Sequence, residues 1–246
     1  GIRNPYYRKQ CFELDWNENV VVNKVQNVAR VIKEAGSPEI IVFQEVENIN
    51  ALRKLKNVGL STEGYRELVL VEGPDKRGID VAIMSKLPLV GDVKYHQIDL
   101  STAYEEGEKV KLTRGILEAT FNFKGNRFSV FANHWPSQRN INETRMISAR
   151  TLIKVVKKSK YPAIIAGDFN IHENDRPNAI NELMINNSLD FSFFYFEKMY
   201  FGDHPVSGMV GEHRGTHFYR NKWSSLDRIF IPKSHTKIDC KLSDKN

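Results

Sequence analysis

Several apolar runs of this chain end in side chains that can bind a metal or transfer a proton. Glu45 follows Ile-Ile-Val-Phe-Gln, His134 follows Val-Phe-Ala-Asn, and Asp168 and Asn170 follow Ala-Ile-Ile-Ala-Gly, while Asp227 opens a fourth run. The carboxyl ends of strands are where α/β sheets tend to build sites, and residues two apart in an extended segment point the same way. We therefore expect Asp168 and Asn170 to face one pocket that the other three side chains also reach.

Glu45 is the candidate metal ligand. A carboxylate placed directly after a buried run is costly unless it is compensated, and a hard cation such as Mg²⁺ would offset that cost because it prefers carboxylate oxygens and retains waters. A helix N-terminal carboxylate is the alternative interpretation of Glu45, and a turn or cap residue is the alternative for Asp168.

His134 lies in Asn-His-Trp-Pro, and Asp80 opens another strand segment that could orient it. A carboxylate on one ring nitrogen raises the basicity of the imidazole and leaves the other nitrogen to donate to a phosphate oxygen. A purely structural histidine is the alternative.

Interleaved helices and strands must position these residues. Apolar residues at helical spacing, a glycine at position 36 suited to a helix stop, and a hairpin-like Lys124-Gly125-Asn126 turn mark the elements. Helices are predicted at 19–35, from Asn48 to about Val58, at about 142–158 and around 178–185, and strands at 39–44, 67–71, 79–84, 116–123, 127–132, 163–166 and 226–231. The pattern indicates a mixed α/β class with sheets covered by helices, in one domain over 1–246.

Composition adds weaker constraints. The 246 residues are 41% hydrophobic and 27% charged, as in ordinary globular proteins. No apolar run approaches the roughly 20 residues that a bilayer span requires. A net charge of +6 favours phosphate-bearing partners, although a lysine-rich surface alone gives the same value.

Cys11 and Cys240 lack metal-ligand spacing and are more simply free thiols than a pair. The two cysteines, together with an N-terminus that resembles one left after removal of a targeting peptide, slightly favour a secreted or periplasmic location over a cytoplasmic one.

Five motifs occur in an order that resembles the endonuclease/exonuclease/phosphatase superfamily, which includes the DNase I-like nucleases. They are QEVEN at 44–48, GIDVAIMS at 78–85, NHWPS at 133–137, GDFN at 167–170 and WSSLDRIFI at 223–231. Each is weak alone, and together they are specific. The resemblance implies the superfamily's four-layer α/β sandwich, with two mixed sheets packed face to face and helices outside.

The resemblance also implies roles for the site residues. Glu45 would bind the metal, Mg²⁺ or Mn²⁺, and Asp168 would orient or deprotonate the attacking water. Asn170 would hold the scissile phosphate, and His134, held by Asp80, would stabilise charge on the phosphoryl oxygens.

Three further residues follow from the same resemblance. Asp227 would match a carboxylate that orients a second histidine, and Arg114 and Asn133 would contact the substrate.

Two departures from the family's pattern are visible. The family begins with a strand whose Asn supports the metal site, and we expect this sequence to start just after that strand. The family also ends with an Asp-His pair, whereas here Ser243-Asp244 is followed by Lys245. Truncation of the sequence at both ends, which would remove the first and last strands of the domain, is the favoured explanation, and a pseudoenzyme that lacks the catalytic histidine is the other.

The favoured function is a nuclease that hydrolyses phosphodiester bonds of nucleic acid by in-line attack of water. This function is supported by basic loops at 75–77, 138–139 and 213–222, the last of which has aromatic residues among its charges. The alternative interpretation of the last loop is a solvated loop anchored by packed aromatic side chains. The alternatives are a phosphatase or phosphodiesterase acting on inositol-phosphate, lipid-linked or other small phosphate esters, and a catalytically impaired binding module.

Overall fold

The computed structural model describes residues 5–13, 17–75, 77–180, 191–194, 216–219 and 221–232. The helices are α1 (Pro5–Glu13), α2 (Glu18–Glu34), α3 (Ile49–Lys54), which continues as a π-helical turn over Leu55–Gly59, and α4 (Asn142–Val156). The strands are β1 (Ile40–Val46), β2 (Glu67–Leu70), β3 (Asp80–Ser85), β4 (Lys94–His96), β5 (Ile116–Phe123), β6 (Asn126–His134), β7 (Ala163–Asp168), β8 (Phe191–Phe194), β9 (His217–Tyr219), β10 (Lys222–Ser224) and β11 (Asp227–Pro232).

Local sequence signals account for the element boundaries. The side chain of Asn17 accepts a hydrogen bond from the backbone N–H of Val20 at 3.1 Å and starts α2, and Gly36 at φ 79° follows its end. Asn48 caps α3 in the same way. Lys124 and Gly125 both have positive φ and form the tight turn between β5 and β6. The predicted helices and strands in these regions are confirmed within a few residues.

The strands form two stacked sheets. One has the order β1-β3-β2 and is antiparallel in the part of the chain described; the other has the order β4-β5-β6-β7-β11-β8 and is mixed, because β6 and β7 run parallel. A separate hairpin joins β9 and β10. Residues such as Val81 and Ile83 of the first sheet pack against Leu117 and Phe121 of the second.

Helices cover the outer faces of both sheets. α2 and α3 pack on the first sheet through Ala29, Ile32 and Leu52, and α4 packs on the second through Met146 and Leu152. The predicted four-layer sandwich is confirmed, with the difference that one of its two sheets is antiparallel rather than mixed.

Some predictions and elements differ. The short strands β4, β8, β9 and β10 were not predicted, since segments of three or four residues carry too little periodicity. The helix α1 was not predicted either, because its nine residues lack a clear apolar stripe. The predicted helix at 178–185 extends beyond Ile180, outside the described residues. Among the described helices, none has the length and apolar character needed to cross a bilayer.

Candidate active site

The parallel ends of β6 and β7 bring the first two site residues together. Their register pairs Asn133 with Gly167 and His134 with Asp168. Gly167 has φ 146°, and a Cβ there would lie 1.9 Å from the Asn133 carbonyl oxygen, so only glycine permits this approach. The ring Nε2 of His134 lies 3.6 Å from Oδ2 of Asp168. The sequence prediction that these strand ends form one site is consistent with this geometry.

Asn170 holds the carboxylate of Asp168. Its backbone N–H donates to Oδ1 of Asp168 at 2.8 Å, and its side-chain amide donates to Oδ2 at 3.0 Å. The same amide also donates to the carbonyl of Trp135 at 3.1 Å. Asn170 has φ 51°, a left-handed conformation that asparagine tolerates better than most residues. The predicted contact of Asn170 with a phosphate stays a prediction. It would require the side-chain amide to give up one of its two hydrogen bonds, to Asp168 or to Trp135.

Asp168 is a carboxylate in a difficult environment. Burial, the neighbouring charge of Asp227 and the charge of Glu45 raise the pKa of Asp168 to about 6. Asp227 lies directly across from it in the β11–β7 register, and burial also raises the pKa of Asp227. Two carboxylates that share a site disfavour each other's ionised form, and here this effect and burial outweigh the hydrogen bonds from Asn170.

Asp227 is tied to the β9–β10 hairpin. The hydroxyl of Thr216 accepts from the backbone N–H groups of Leu226 and Asp227, each at 3.0 Å, and it lowers the pKa of the Asp227 carboxyl by hydrogen bonding to it. An electrostatic interaction with His217 also lowers the pKa of Asp227. The predicted role of Asp227 in orienting a second histidine stays a prediction.

His134 is a neutral imidazole at neutral pH. Burial, together with the charges of Arg114 and Arg77, lowers the pKa of His134 to about 3. Its Nδ1 is buried and has no hydrogen-bond partner among the described residues. A neutral ring carries one N–H and one acceptor nitrogen, so His134 is suited to donate a hydrogen bond rather than to carry a charge.

The predicted pairing of Asp80 with His134 is wrong in this structure. Oδ1 of Asp80 accepts the backbone N–H of Gly73 at 2.9 Å, and burial raises the pKa of this carboxyl. Asp80 therefore anchors the loop before β3 and does not orient the histidine.

Asn133 is also placed differently from its predicted role. Its side chain is 0% exposed; the amide donates to the carbonyl of Phe131 at 2.9 Å, and its oxygen accepts from the indole of Trp135 at 3.2 Å. A side chain enclosed in this way cannot contact a substrate. Asn133 instead fixes the turn that follows His134.

Glu45 reaches the site from the other sheet. It sits at φ 57° where the β1–β3 register shifts between Phe43 and Val46, a β-bulge of the kind that re-aims a side chain. It is exposed, contrary to the expectation of a buried carboxylate that needs compensation. Its charge nonetheless acts on both Asp168 and Arg114.

A buried ion-pair network lies beside His134, and sequence reasoning missed its centre. Oδ2 of Asp75 accepts from Arg114 at 3.1 Å and from Arg77 at 2.6 Å, and its Oδ1 accepts from Arg77 Nε at 3.0 Å. Arg114 is 4% exposed and also donates to the carbonyls of His134 at 3.3 Å and Trp135 at 3.2 Å. Asp75 was noted only as part of a basic loop, and no sequence signal distinguished it from a solvated residue.

Arg114 positions protein groups in this structure, whereas the sequence prediction made it a substrate ligand. Its three side-chain nitrogens donate to Asp75 and to the backbone carbonyls of His134 and Trp135. Arg77 has a side chain that is 68% exposed, and both arginines line the same cleft.

The cleft has a volume of about 550 Å³. Its lining is rich in positive charge, with Arg77, Lys109, Lys111, Arg114 and Arg139 against Glu45 and Asp75, and His134 lies in its wall. The basic loops predicted at 75–77 and 138–139 are thus partly brought to the site through Arg77 and Arg139. Residues 213–215 and 220 of the basic loop predicted at 213–222 lie outside the described residues, and the rest of that loop includes β9 and the start of β10.

The donor set fits a hard divalent cation. Burial and the negative charges of Asp227 and Glu45 raise the pKa of Asp168, and a cation near these carboxylates would offset the repulsion between them. In the described chain no group of three or more His, Cys, Asp or Glu side chains is arranged as a cage. Mg²⁺ does not require one, because it usually binds through one or two carboxylates and keeps several waters.

Two sheets packed face to face with helices outside are the fold of the DNase I-like proteins of the endonuclease/exonuclease/phosphatase superfamily. A family model described as the endonuclease/exonuclease/phosphatase family matches residues 7–242. The chain belongs to this family. Its members are phosphoric ester hydrolases, which agrees with the resemblance seen in the five motifs.

Experimental structures share the fold at low sequence identity. The catalytic domain of human Nocturnin with bound sulfate is 17% identical with a TM-score of 0.60, over 86% of this chain and 75% of that one. A mannosyl-6-phosphatase from Bacteroides thetaiotaomicron is 18% identical with a TM-score of 0.61, over 87% and 78%. TDP2 from D. rerio in complex with a single-strand DNA product is 16% identical with a TM-score of 0.60, over 89% and 80%. A search of curated protein sequences finds no significant match.

Proposed function

We propose that this protein is a divalent-metal-dependent phosphodiesterase that hydrolyses phosphodiester bonds of nucleic acid by in-line attack of water. The observation that carries the proposal is the adjacency of His134 and Asp168, 3.6 Å apart, in a site bordered by a cleft with several cationic side chains. In the reaction a water oxygen bonds to phosphorus as the bond to the leaving oxygen breaks, giving a phosphomonoester and an alcohol.

Asp168 is assigned to the attacking water. Its pKa of about 6 leaves it mostly ionised at neutral pH and close enough to neutrality to accept a proton from water in the transition state. Asn170 fixes the orientation of this carboxylate through its backbone N–H and its amide. A fixed orientation matters because an oriented base contributes more than a mobile one.

His134 is assigned to the phosphoryl oxygens. A neutral imidazole in a buried wall donates a hydrogen bond without the cost of burying a charge, and such donors are strongest where water is excluded. Arg114 supports this role by holding the carbonyls of His134 and Trp135. It acts through His134 and is therefore a positioning residue.

Glu45 is assigned to the cation, Mg²⁺ or Mn²⁺, with Asp168 close enough for electrostatic interaction. A bound cation would stabilise negative charge on the phosphoryl group. The bulge at Glu45 supports the assignment, because a strained left-handed glutamate is retained where its side-chain direction matters.

Nucleic acid is favoured as the substrate by charge. The cationic lining of the cleft and the net charge of +6 both raise the local concentration of a polyanion. The similar fold of TDP2, recorded with a single-strand DNA product, is consistent with this choice.

A phosphatase acting on small phosphate esters is the second candidate. The cleft volume of about 550 Å³ lies in the range of pockets that enclose small ligands. The fold is also shared by a mannosyl-6-phosphatase.

One set of assays separates these candidates. Single-stranded DNA, plasmid DNA and inositol phosphates are each incubated with the protein in Mg²⁺, with EDTA and the Glu45→Gln variant as controls. We expect DNA cleavage that EDTA abolishes and Glu45→Gln strongly reduces. Phosphate release from inositol phosphates without DNA cleavage would replace the nuclease with the phosphatase. Binding of DNA without turnover of any ester would indicate a binding module.

A further inference from the structure

The cleft contains three cationic side chains that the proposed chemistry does not use. Lys109, Lys111 and Arg139 line it and are exposed. Within the described ranges none of them takes part in an ion pair, in contrast to Arg77 and Arg114, which share Asp75. Cations gathered in one cleft repel each other, so an anion that entered it would relieve that repulsion.

The acidic residues nearest in sequence do not neutralise this group. Glu105, Glu106 and Glu108 precede Lys109 on the same loop but are not among the residues that line the cleft. Glu108 instead accepts the backbone N–H of Glu105 at 2.9 Å.

The loop that carries Arg139 is held in place by a buried residue. Arg145 is 3% exposed, and its Nη1 donates to the carbonyls of Pro136 at 3.5 Å, Ser137 at 3.1 Å and Asn140 at 3.4 Å. The loop that carries Lys109 and Lys111 is joined to it, because Nζ of Lys111 donates to the side chain of Asn140 at 3.4 Å. The three cations therefore lie on two loops that are joined by a side-chain hydrogen bond.

Apolar side chains lie among the cations. Val110 is 37% exposed and Leu112 is 59% exposed, and both line the cleft. A ligand that fits this wall combines negative charge with a part that tolerates aliphatic contact, as a nucleoside or a carbon ring does.

We propose that Lys109, Lys111 and Arg139 bind a second phosphate group of the same substrate, beside the phosphate that is hydrolysed. The preferred substrate then carries at least two phosphates in close succession. This inference rests on the proposed function, since the first phosphate is the one placed at His134 and Asp168.

The test is equilibrium binding by calorimetry in EDTA, with two ligand pairs that differ by one phosphate. One pair is a thymidine dinucleotide with and without a 5′-phosphate, and the other is an inositol bisphosphate and a monophosphate. The variant combines Lys109→Gln, Lys111→Gln and Arg139→Gln. The control removes the same charge by combining Lys154→Gln, Lys157→Gln and Lys158→Gln, which are exposed at the far end of α4.

In at least one ligand pair, we expect the unmodified protein to bind the ligand with the additional phosphate about tenfold more tightly than the ligand without it. The reason is that the additional phosphate forms exposed ion pairs with the three cationic side chains. The cleft variant should lose this preference and the control should keep it. The pair that shows the preference identifies the source of the second phosphate. Equal binding within both pairs, or a preference that survives in the cleft variant, would overturn the inference.

Failure of the proposed function is distinguishable, because the binding measurement needs no turnover. A protein that cleaves no ester yet prefers the second phosphate would retain this site and lose the hydrolase assignment. A protein that cleaves DNA but shows no preference would retain the hydrolase assignment and lose this site.

Discussion

Two aspartates beside the same cleft have opposite environments. Hydrogen bonds and charge from Arg77, with the charge of Arg114, hold the pKa of Asp75 at about 2, whereas burial and the charge of Asp227 raise the pKa of Asp168 to about 6. Both are acceptors in short hydrogen bonds. They differ in their ion pairs, because Asp75 contacts two arginines directly, whereas the cation nearest to Asp168 in the described chain is no closer than electrostatic range.

The difference separates a structural carboxylate from a reactive one. Asp75 is compensated by Arg77 and Arg114, and Arg114 in turn donates to the backbone carbonyl of His134, so the charge of Asp75 stabilises the fold of the site. Asp168 forms no ion pair with an arginine or lysine in the described chain, and a carboxylate whose pKa is raised in this way can take up a proton or interact with a cation during a reaction. Residue type alone does not distinguish them; the neighbours do.

Removal of Asp168 should have the largest effect on turnover. We expect Asp168→Ala to reduce kcat by about 10³-fold, because the group that accepts the proton of water is lost. The measurement is steady-state hydrolysis of DNA in Mg²⁺. Asp92→Ala, at an exposed position, is the control and should retain activity. Similar turnover by the Asp168 and Asp92 variants would remove Asp168 from the mechanism.

Removal of Asp75 should act mainly on stability. Asp75→Asn leaves the buried Arg114 without its counter-charge, and breaking a buried pair on one side costs about 3 kcal/mol in the free energy of unfolding. Urea denaturation at pH 7 measures the change, with Asp92→Asn as the matched control. A variant as stable as the control would show that Asp75 does not compensate Arg114.

The acid dependence of Asp75 has a defined sign. Its pKa in the folded state is lowered from 3.8 to about 2, so its contribution to stability is present above pH 4 and is lost as the pH falls towards 2.

A direct titration sharpens the comparison. In EDTA, carbon NMR of labelled aspartate carboxyls should show one resonance that titrates near pH 6 and is absent from Asp168→Asn. The Asp75 resonance, identified by its loss in Asp75→Asn, should not titrate above pH 4. Added Mg²⁺ should lower the midpoint of the Asp168 resonance, because a nearby cation favours the ionised form. A midpoint that does not respond to Mg²⁺ would place the cation elsewhere.

The contrast between the two aspartates also shows what sequence reasoning can reach. Asp168 ends a continuous apolar run, which is a local signal for a buried strand, and the GDFN motif reinforces this signal. The mixed α/β class follows from local signals of the same kind, whereas the four-layer sandwich was implied by the family resemblance of the five motifs. Asp75 lies in a loop, and its partner Arg114 is 39 residues away, so no local pattern could reveal the pair. The errors at Asp80, Asn133 and Glu45 have the same origin, because hydrogen-bond partners and exposure depend on tertiary contacts.

The smallest effect should be a gain in stability when the charge of Asp168 is removed. The raised pKa means that ionisation of Asp168 destabilises the folded state above about pH 6, and that this penalty disappears as the pH falls towards 3.8. Asp168→Asn removes the penalty but loses the hydrogen bond that the Oδ2 atom accepts from Asn170, so a net gain of about 1 kcal/mol is expected at pH 7.5. Thermal unfolding in EDTA at pH 7.5 and pH 4.5 measures it, and the gain should be absent at the lower pH. A variant less stable than the unmodified protein at pH 7.5 would mean that Asp168 is compensated after all, and the distinction from Asp75 would no longer hold.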